Sequence, residues 1–301
     1  MIVITGGAGF IGSHIARYYI AKGRDVISID NLSSGKRENA VGKLFVADIC
    51  SDISRYFKNA EIVFHYAADP DVRSCNQNPR RSFEINVRGT INVLEACRKH
   101  DVKHVVLAST STVYGEAKIP TPETHPTFPI SVYGASKLAA EGYIAAYAGT
   151  YGIKGTVIRY ANIFGPGSSH GVMFDFFQKL RKNQKELEIL GDGRQSKSYL
   201  YIDDCISATT LIVDKQTKNF GVFNVGSDER VSVIRIARLV SSALGLKPKF
   251  KFTGGRRGWA GDVSLMLLST KKLKALGWKP RTSFEEGVKK YVGWLREKAQ
   301  H

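Results

Sequence analysis

Residues 1–12 read Met-Ile-Val-Ile-Thr-Gly-Gly-Ala-Gly-Phe-Ile-Gly, and this stretch decides the fold. It predicts an apolar strand over Ile2–Thr5, then a glycine-rich turn, then the start of a helix. Glycine at such a turn lets the chain reverse tightly, lets a pyrophosphate approach the helix N-terminus, and allows close helix–sheet packing. We therefore predict a dinucleotide-binding turn made by Gly6, Gly9, Phe10, Ile11 and Gly12.

The next predicted strand, Val26–Asp30, ends in an acidic residue. A carboxylate at this position binds ribose hydroxyls and repels a 2′-phosphate, so Asp30 favours NAD over NADP. Lys36 and Arg37 are near enough in sequence to keep NADP open. Asp48 follows the third predicted strand, where it either reaches an adenine or caps a helix over Ile49–Phe57.

Short apolar runs alternate along the chain with longer amphipathic stretches, which is typical of βαβ units and a parallel sheet. We predict an α/β fold in which a Rossmann-like doubly wound parallel sheet binds NAD and a smaller C-terminal α/β domain binds substrate. The predicted domains are residues 1–165 and 166–301, with 199–225 rejoining the first. Predicted strands are Ile2–Thr5, Val26–Asp30, Leu44–Ala47, Ile62–His65, His104–Ser109, Gly155–Tyr160 and Val222–Val225; predicted helices are Phe10–Lys22, Arg80–Lys99, Tyr133–Tyr151 and Asp203–Asp214.

The 301 residues carry a formal charge of +17, and most of the excess lies in the C-terminal part. Residues 1–177 have a net charge of +4 and residues 178–301 a net charge of +13. Such a surface attracts either nucleic acid or a phosphorylated small molecule, and motifs must choose between them. The four cysteines lack zinc-ribbon or disulfide-framework spacing, and no apolar run is long enough for a membrane span. We expect a cytoplasmic protein with no signal peptide, no metal site and no membrane partner.

Tyr133 and Lys137 are four residues apart, which places both side chains on one face of a helix. An ammonium beside a phenol stabilises the phenolate, and we expect it to lower the pKa of Tyr133 from about 10. The tyrosine would then serve as a general base. A hydroxyl-rich run follows the fifth strand and includes Ser109, Thr110 and Ser111, at the sheet edge where open α/β folds bind ligands.

With these motifs in place, the chain resembles the extended short-chain dehydrogenase/reductase family, and within it nucleotide-sugar 4-epimerases of the UDP-galactose 4-epimerase type. The resemblance covers essentially the whole chain. The motifs that carry it are Thr-Gly-Gly-Ala-Gly-Phe-Ile-Gly at 5–12, Asp-Asn-Leu-Ser-Ser-Gly at 30–35, His-Tyr-Ala-Ala at 65–68, Asn86-Val87-x-Gly89-Thr90, Val-Tyr-Gly at 113–115, Tyr133-x-x-x-Lys137 and Arg159-Tyr160-x-Asn162-x-Phe164-Gly165-Pro166.

The resemblance implies roles for particular residues around NAD and the sugar. Tyr133 would be the base and acid, Lys137 its partner and a ribose ligand, and Thr110 the hydroxyl that binds the reacting sugar hydroxyl. Ser109 and Ser111 are alternatives to Thr110. Besides the glycine turn, Asp30, Tyr133 and Lys137, the implied cofactor contacts are Asn31, Ser33, Ser34, Gly35, Asp48, Ile49, Tyr66, Ala67, Ala68, Asn86 and Tyr160.

The reaction is narrowed by two residues that follow Thr110. Dehydratases of the family carry an Asp-Glu pair there, and decarboxylating relatives carry a Glu, whereas this chain has Ser111 and Thr112. With no acid to drive elimination, the resemblance implies oxidation and re-reduction at C4 of the sugar. The expected activity is interconversion of UDP-glucose and UDP-galactose through a 4-keto intermediate.

The resemblance also implies contacts to the UDP-sugar in the basic C-terminal part. Asn162 and Arg257 match residues that meet the diphosphate, with Arg256 as a second choice because two extra residues precede Gly261-Asp262. Lys197 stands where many relatives have arginine, so it lacks the planar bidentate fork. The remaining implied contacts are Val172, Asp262 and Met266, and the intermediate bulk of Met266 predicts some tolerance of N-acetylated sugars.

Two alternatives remain open at this point. One is another enzyme of the same family, such as a UDP-glucuronate 4-epimerase or a nucleotide-sugar reductase. The other is a non-catalytic, NAD-sensing regulator that binds nucleic acid, which the Tyr133/Lys137 pair disfavours. By resemblance we expect a homodimer formed through the helices predicted at Arg80–Lys99 and Tyr133–Tyr151, a UDP-sugar as the partner molecule, and no nucleic acid.

Overall fold

A computed structural model gives the fold of residues 1–255, 263 and 265–300. The strands are β1 (Ile2–Thr5), β2 (Val26–Asp30), β3 (Lys43–Val46), β4 (Ile62–His65), β5 (His104–Thr110), β6 (Lys154–Tyr160), β7 (Asn162–Phe164), β8 (Glu186–Ile189), β9 (Ser196–Tyr201), β10 (Phe220–Val225), β11 (Arg230–Ser232), β12 (Lys249–Phe252) and β13 (Leu265–Met266). The α-helices are α1 (Phe10–Ala21), α2 (Val72–Gln77), α3 (Pro79–Phe83), α4 (Gly89–Lys99), α5 (Val132–Tyr151), α6 (Val172–Lys182), α7 (Ile202–Lys215), α8 (Val233–Ala243), α9 (Lys271–Lys274) and α10 (Phe284–Lys298).

Seven strands form one sheet in the order β10-β6-β5-β4-β1-β2-β3. Every pairing from β3 to β6 is parallel, and β1 lies between β2 and β4. The chain order therefore reverses at β1 and β4, and ligands of open α/β sheets bind at such a switch point, beyond the carboxyl ends of the strands. The predicted Rossmann-like α/β class is confirmed.

The core of this sheet is made by apolar strands that are covered on their faces. Val105, Val106 and Leu107 of β5 are almost completely buried, as the continuous apolar run predicts. Ala140 and Ile144 of α5 and Val93 of α4 belong to the same buried cluster. This packing fixes α5, which carries Tyr133 and Lys137, against β5 and β6.

The helix predicted over Arg80–Lys99 is interrupted rather than regular. It consists of α3, a π-helical turn over Glu84–Arg88, and α4. Single π-helical turns inside helices are frequent at functional sites. Here the turn contains the buried Asn86, one of the predicted cofactor contacts.

The chain divides into two compact units that are not continuous in sequence. The first unit comprises Met1–Gly115, Glu123–Tyr160 and Ile206–Asn224, and the second comprises Glu116–Pro122, Ala161–Cys205 and Val225–His301. In the second unit, β7, β11 and β13 pair with β9, while β8 pairs with β12. Its interior is aromatic, with contacts among Phe164, Tyr201, Phe284 and Tyr291.

Among the residues that the structure describes, no helix is long and apolar enough to cross a membrane. All four cysteines are free thiols, and three of them are buried. Within the same described residues, no cluster of three histidine, cysteine or acidic side chains could hold a metal ion.

Candidate active site

The glycine-rich turn between β1 and α1 has the geometry that a pyrophosphate requires. Gly6 adopts a positive φ of 74°, and a Cβ atom on it would lie 2.6 Å from the Ala67 nitrogen. A Cβ atom on Gly12 would lie 2.2 Å from the Gly6 carbonyl oxygen. Helix α1 begins after Gly9 with no side-chain cap from the described residues, so its first-turn amides can donate to an anion.

Asp30 is placed as an NAD-selective acid should be. Its buried carboxylate accepts hydrogen bonds from the Ala8 amide at 3.0 Å and from the Leu32 amide at 2.8 Å. A Cβ atom on Gly35 would lie 2.8 Å from both carboxylate oxygens. Glycine at position 35 thus leaves room beside the carboxylate, and a ribose fits the oxygens' remaining acceptor capacity. This cradle fits NAD.

The loop after β3 contains Asp48, which is predicted either to reach an adenine or to cap a helix, and the predicted helix does not form. Asp48 accepts a hydrogen bond from the Cys50 amide at 2.7 Å and another from the Asn31 amide group at 2.9 Å. These bonds lower the pKa of Asp48 below its ordinary value, although partial burial raises it. The helix predicted over Ile49–Phe57 is wrong, because this local turn competes with it and only a 3₁₀ turn over Ser54–Phe57 forms.

The other cofactor contacts predicted near Asp30 and Asp48 differ in how exposed they are. Ser33 and Ser34 are exposed, and the Ser33 amide donates to the Asn31 side-chain oxygen. The Ile49 side chain lies in the core under Gly89, so its backbone is the part that can face a ligand.

The loop after β4 is held by Asn86 from the π-helical turn. The Asn86 side-chain oxygen accepts from the Asp69 amide at 2.7 Å, and its nitrogen donates to the Asp69 carbonyl at 3.1 Å and to Ser136 Oγ at 3.0 Å. Tyr66, Ala67 and Ala68 therefore lie in a loop tied to α5, each partly buried. Asn86 has one acceptor position left, so positioning this loop is its main visible task.

A chain of hydroxyls connects Tyr66 to the edge of the sheet. The Tyr66 and Tyr160 hydroxyl oxygens are 2.6 Å apart, and the Tyr160 oxygen is 2.8 Å from Thr209 Oγ1. Tyr160 is buried at the end of β6. Both predicted cofactor contacts thus lie at the carboxyl ends of strands of one sheet, β4 and β6, on either side of β5.

Tyr133 and Lys137 occupy the first turns of α5, close to the end of β5. Ser131 caps the helix by accepting from the Gly134 amide at 3.1 Å, and a Cβ atom on Gly134 would lie 2.8 Å from the Thr112 carbonyl oxygen. The helix can therefore approach the hydroxyl-rich turn closely. The Thr110 side chain acts on the Tyr133 phenol, and Lys137 is 2% exposed.

The electrostatics of the pair differ from the sequence-based expectation. Burial raises the pKa of Tyr133 above its ordinary value, with Cys75 and Asp69 adding to the effect and Thr110 opposing it. Burial also lowers the pKa of Lys137 to about 8, against the opposing effect of Glu141. The expected lowering of the Tyr133 pKa is wrong for the chain by itself, because desolvation disfavours both charged forms.

Of the three candidate hydroxyls, Thr110 is the one that meets Tyr133. The Ser109 hydroxyl donates to the Glu141 carboxylate instead, on the buried side of β5. Ser111 begins a 3₁₀ turn over Ser111–Tyr114 and is partly buried. Thr110 Oγ1 also accepts from the Thr112 amide at 3.1 Å, which fixes its side chain.

Two buried groups of this region are functional candidates that sequence analysis did not single out. Glu141 and Arg159 form an ion pair with 2.6 Å between Oε2 and Nη2. His65 lies between Thr5 at 2.7 Å and Thr90 at 2.9 Å, and burial together with Lys137 lowers its pKa to about 3. The sequence contains a signal that could have identified Glu141. It lies four residues after Lys137, which places its carboxylate on the same helix face.

In the second unit, the structure brings some of the predicted substrate contacts together. Lys197 of β9 and Met266 of β13 are direct partners in the register of the sheet. Asn162 of β7 donates to the Ser198 carbonyl of β9 at 3.0 Å. Val172 begins α6 directly after Gly171, whose φ is 90°. Arg256, Arg257 and Asp262 lie outside the described residues.

Comparisons with known proteins agree on one family. The family model described as "NAD dependent epimerase/dehydratase family" matches residues 2–226. A crystal structure of a UDP-galactose 4-epimerase matches with a TM-score of 0.91 and 43% identity, covering 99% of each chain. The Thermotoga maritima UDP-glucose 4-epimerase, solved with UDP-glucose, matches with a TM-score of 0.93 and 36% identity, again covering 99% of each chain. The UDP-glucuronate 4-epimerase of Thermodesulfobacterium geofontis is 31% identical, over 98% of this chain and 96% of the relative.

Proposed function

The chain belongs to the NAD dependent epimerase/dehydratase family, and from that premise we propose that it is an isomerase that interconverts UDP-glucose and UDP-galactose at C4. The observation that carries the proposal is the arrangement at α5 and β5. The Thr110 side chain acts on the Tyr133 phenol and favours its ionised form, and Lys137 lies buried one turn further along the same helix. Such a trio can bind a hydroxyl group and move its proton.

The protein residues act on the C4 hydroxyl of the sugar. Thr110 binds this hydroxyl, Tyr133 accepts its proton as the 4-keto sugar forms, and Lys137 supplies positive charge beside the phenolate. NAD would be held at the glycine-rich turn and Asp30, and it would supply the acceptor and donor for the C4 hydride and, when oxidised, positive charge near the phenol. Tyr133 then returns the proton, so the net redox change is zero.

The choice of epimerisation over elimination rests on the turn that follows Thr110. Its residues, Ser111–Tyr114, include no carboxylic acid. A 4-keto sugar held beside this turn meets hydroxyl groups, which do not abstract a carbon-bound proton near neutral pH. The 4-keto intermediate is therefore left to turn over and accept hydride again.

The UDP moiety is proposed to bind residues of the second unit. Our assignments are Asn162, Val172, Lys197, Arg257, Asp262 and Met266. The pairing of Lys197 with Met266 supports placing phosphate contacts and the pocket-limiting side chain on neighbouring strands. Because methionine is flexible, the proposal includes weak activity on UDP-N-acetylhexosamines.

A second candidate is epimerisation of UDP-glucuronate. It is supported by the 31% identity to the Thermodesulfobacterium geofontis enzyme of that name over nearly the full chain. The chemistry at C4 would be unchanged, and only the group at C6 would differ. A nucleotide-sugar reductase would differ more, because it would consume reduced cofactor in a one-to-one ratio with substrate.

The decisive experiment compares substrates and one tyrosine variant. Purified protein is assayed for interconversion of UDP-glucose, UDP-galactose, their N-acetyl forms and UDP-glucuronate, without added reductant. We expect the UDP-glucose/UDP-galactose pair to turn over fastest, and Tyr133→Phe to lower kcat by about 10²–10⁴-fold. Tyr143→Phe is the matched control, since Tyr143 lies on the same helix but is 39% exposed.

Two results would contradict this function. Full activity of Tyr133→Phe would remove the proposed proton transfer. A strict requirement for added NADH, with one equivalent consumed per turnover, would make the protein a reductase instead.

We also propose a cytoplasmic homodimer. Its expected interface uses the helical segment Arg80–Lys99 and α5, and Tyr143 and Tyr151 on α5 are large aromatic side chains exposed at 39% and 51%. The four free thiols suit a reducing compartment. Sedimentation equilibrium of the purified protein measures its mass directly, and a monomer at micromolar concentration would contradict this assembly.

A further inference from the structure

We propose that Glu141 is a positioning residue that keeps Lys137 in its charged form and fixes Thr110 beside Tyr133. The inference rests on the proposed function, because it assigns a task to Glu141 in the reaction of Tyr133 and Lys137. Neither the sequence motifs nor the family resemblance gave Glu141 a role.

Glu141 is held by two neighbouring strands at once. Arg159 of β6 donates from Nε to the Glu141 Oε1 atom at 3.0 Å and from Nη2 to Oε2 at 2.6 Å. Ser109 of β5 donates from Oγ to the same Oε1 atom at 2.5 Å. Ser109 and Arg159 are direct partners in the β5–β6 register, so one carboxylate bridges two strands and a helix.

The contacts of Glu141 with β5 and β6 act on the reacting groups because Ser109 and Glu141 lie close to them along the backbone. Ser109 immediately precedes Thr110, so fixing its side chain fixes the end of β5 from which Thr110 reaches Tyr133. Glu141 lies one helical turn after Lys137 and two turns after Tyr133. A displacement of the Glu141 carboxylate would therefore move Thr110 on β5 relative to Tyr133 and Lys137 on α5.

The bridge also supplies a negative charge that acts on Lys137. Lys137 is buried, and the groups that face it from its own helix are Tyr133 and Glu141, while His65 faces it from β4. His65 is neutral above pH 4, because burial lowers its pKa to about 3. Cys75 and Asp69 act on the Tyr133 phenol. Glu141 is thus the group that favours the Lys137 ammonium against the cost of burial.

The test compares the pH dependence of activity in the holoenzyme for the native protein and Glu141→Gln. Since Glu141 raises the pKa of Lys137, its loss should move the alkaline fall in kcat to lower pH. A displacement by one pH unit corresponds to about a tenfold lower kcat at pH 9 and almost no change at pH 6. Glu285→Gln is the matched control, because Glu285 also binds an arginine but is 46% exposed on α10, outside the proposed dimer interface.

Melting temperature provides a second readout that does not depend on turnover. In the variant, the charged form of Lys137 is more costly in the folded protein, and Lys137 loses its proton at lower pH. The deficit in melting temperature relative to the native protein should therefore be largest near pH 6 and shrink toward pH 9. A residue that merely fills space would give a deficit that does not change with pH.

A charge-neutral double variant covers the case in which Glu141→Gln leaves Arg159 unpaired and fails to fold. Glu141→Gln combined with Arg159→Met removes both charges, which is often tolerated in a protein interior. It should fold and still show the acid-shifted alkaline limb. A folded variant whose alkaline limb coincides with that of the native protein would overturn the inference.

Failure of this inference is distinguishable from failure of the proposed function. If Glu141→Gln keeps the native pH profile while Tyr133→Phe is inactive, Glu141 is structural and the epimerase mechanism stands. If Tyr133→Phe is fully active, the mechanism itself is wrong and the role of Glu141 falls with it.

Discussion

A buried ion pair of the first unit contrasts with exposed ion pairs of the second. Around Lys137 in the first unit, the side chains of Glu141 and Arg159 are only 6% and 7% exposed and form several hydrogen bonds to each other. In the second unit, Arg235 is 41% exposed and binds Glu229 and Glu285, which are 49% and 46% exposed. Lys274 and Asp228 form a similar open pair. The same residue types thus pair in the protein interior at Glu141 and Arg159 and at the solvent-exposed surface at Arg235, Glu229 and Glu285.

This difference in burial shows which charged side chains depend on a particular partner. A buried pair is costly to desolvate, so each partner depends on the other, whereas an exposed pair contributes little and is screened by salt. The net charge of +13 over residues 178–301 is therefore best regarded as a surface field that attracts anions over distances set by ionic strength. The charged side chains around the proposed proton transfer are instead the few that are buried.

The largest effect on stability is expected from Arg159→Met. This substitution leaves Glu141 buried without its cation, and loss of one partner of a buried pair costs about 3–5 kcal/mol. Arg235→Met is the matched control, because it breaks two exposed ion pairs and should cost less than about 1 kcal/mol. Urea unfolding of both variants measures the two free energies. Equal losses would remove the contrast between the units.

A smaller effect is expected from His65, and it depends on pH. His65 has a pKa of about 3 in the folded protein and an ordinary value of 6.5 when unfolded, so the unfolded chain binds more protons between these values. Stability is fully present above pH 6.5 and falls with acidification, by about 2 kcal/mol at pH 5 from this residue.

The measurement for His65 is the melting temperature between pH 7 and pH 4.5. His65→Gln should be less stable at pH 7 but should lose stability less steeply as the pH falls. His170→Gln, at an exposed position of the second unit, should keep the native slope. A native slope in His65→Gln as well would assign the acid sensitivity to other groups.

The smallest effect is expected at Lys274. Lys274→Met breaks an exposed ion pair with Asp228 and should lower the free energy of unfolding by about 0.2–1 kcal/mol. Because both groups are open to solvent, the difference should nearly vanish in about 1 M salt, where the Debye length is about 3 Å. A loss above about 2 kcal/mol that persists in salt would show that the second unit also contains a dependent charge pair.

Much of the first sheet could be predicted from sequence because its strands are continuous apolar runs that end in distinctive residues. Ile2–Thr5, Val26–Asp30 and Ile62–His65 have the predicted bounds, since a glycine turn, an acidic residue and a polar loop mark their ends. The predicted cofactor acid, Asp30, lies beside a cradle that Gly35 leaves open. A local sequence pattern is sufficient for prediction where the backbone at one position requires one residue type.

The rest depended on contacts between distant residues. The Glu141–Arg159 pair joins residues 18 apart in sequence, and the raised pKa of Tyr133 reflects burial that no spacing reveals. Asp48 shows a local failure, because its side chain accepts from the Cys50 amide as a helix N-cap would, yet no α-helix follows. Strands such as β8 and β12 escaped prediction because each is short, rich in charged residues and paired only with the other.

The position of β10 in the sheet has a consequence for biosynthesis. Strand β6 ends at residue 160, and its outer neighbour β10 begins at residue 220, after Ala161–Cys205 of the second unit and most of helix α7. At about 5–20 residues per second, a ribosome needs roughly 3–12 seconds to supply the missing strand. During that interval the nascent chain presents an unpaired, apolar strand edge, which is the kind of surface that joins other chains. Translation speed across residues 161–219, and the chaperones that meet the chain there, are therefore expected to govern the yield of folded protein.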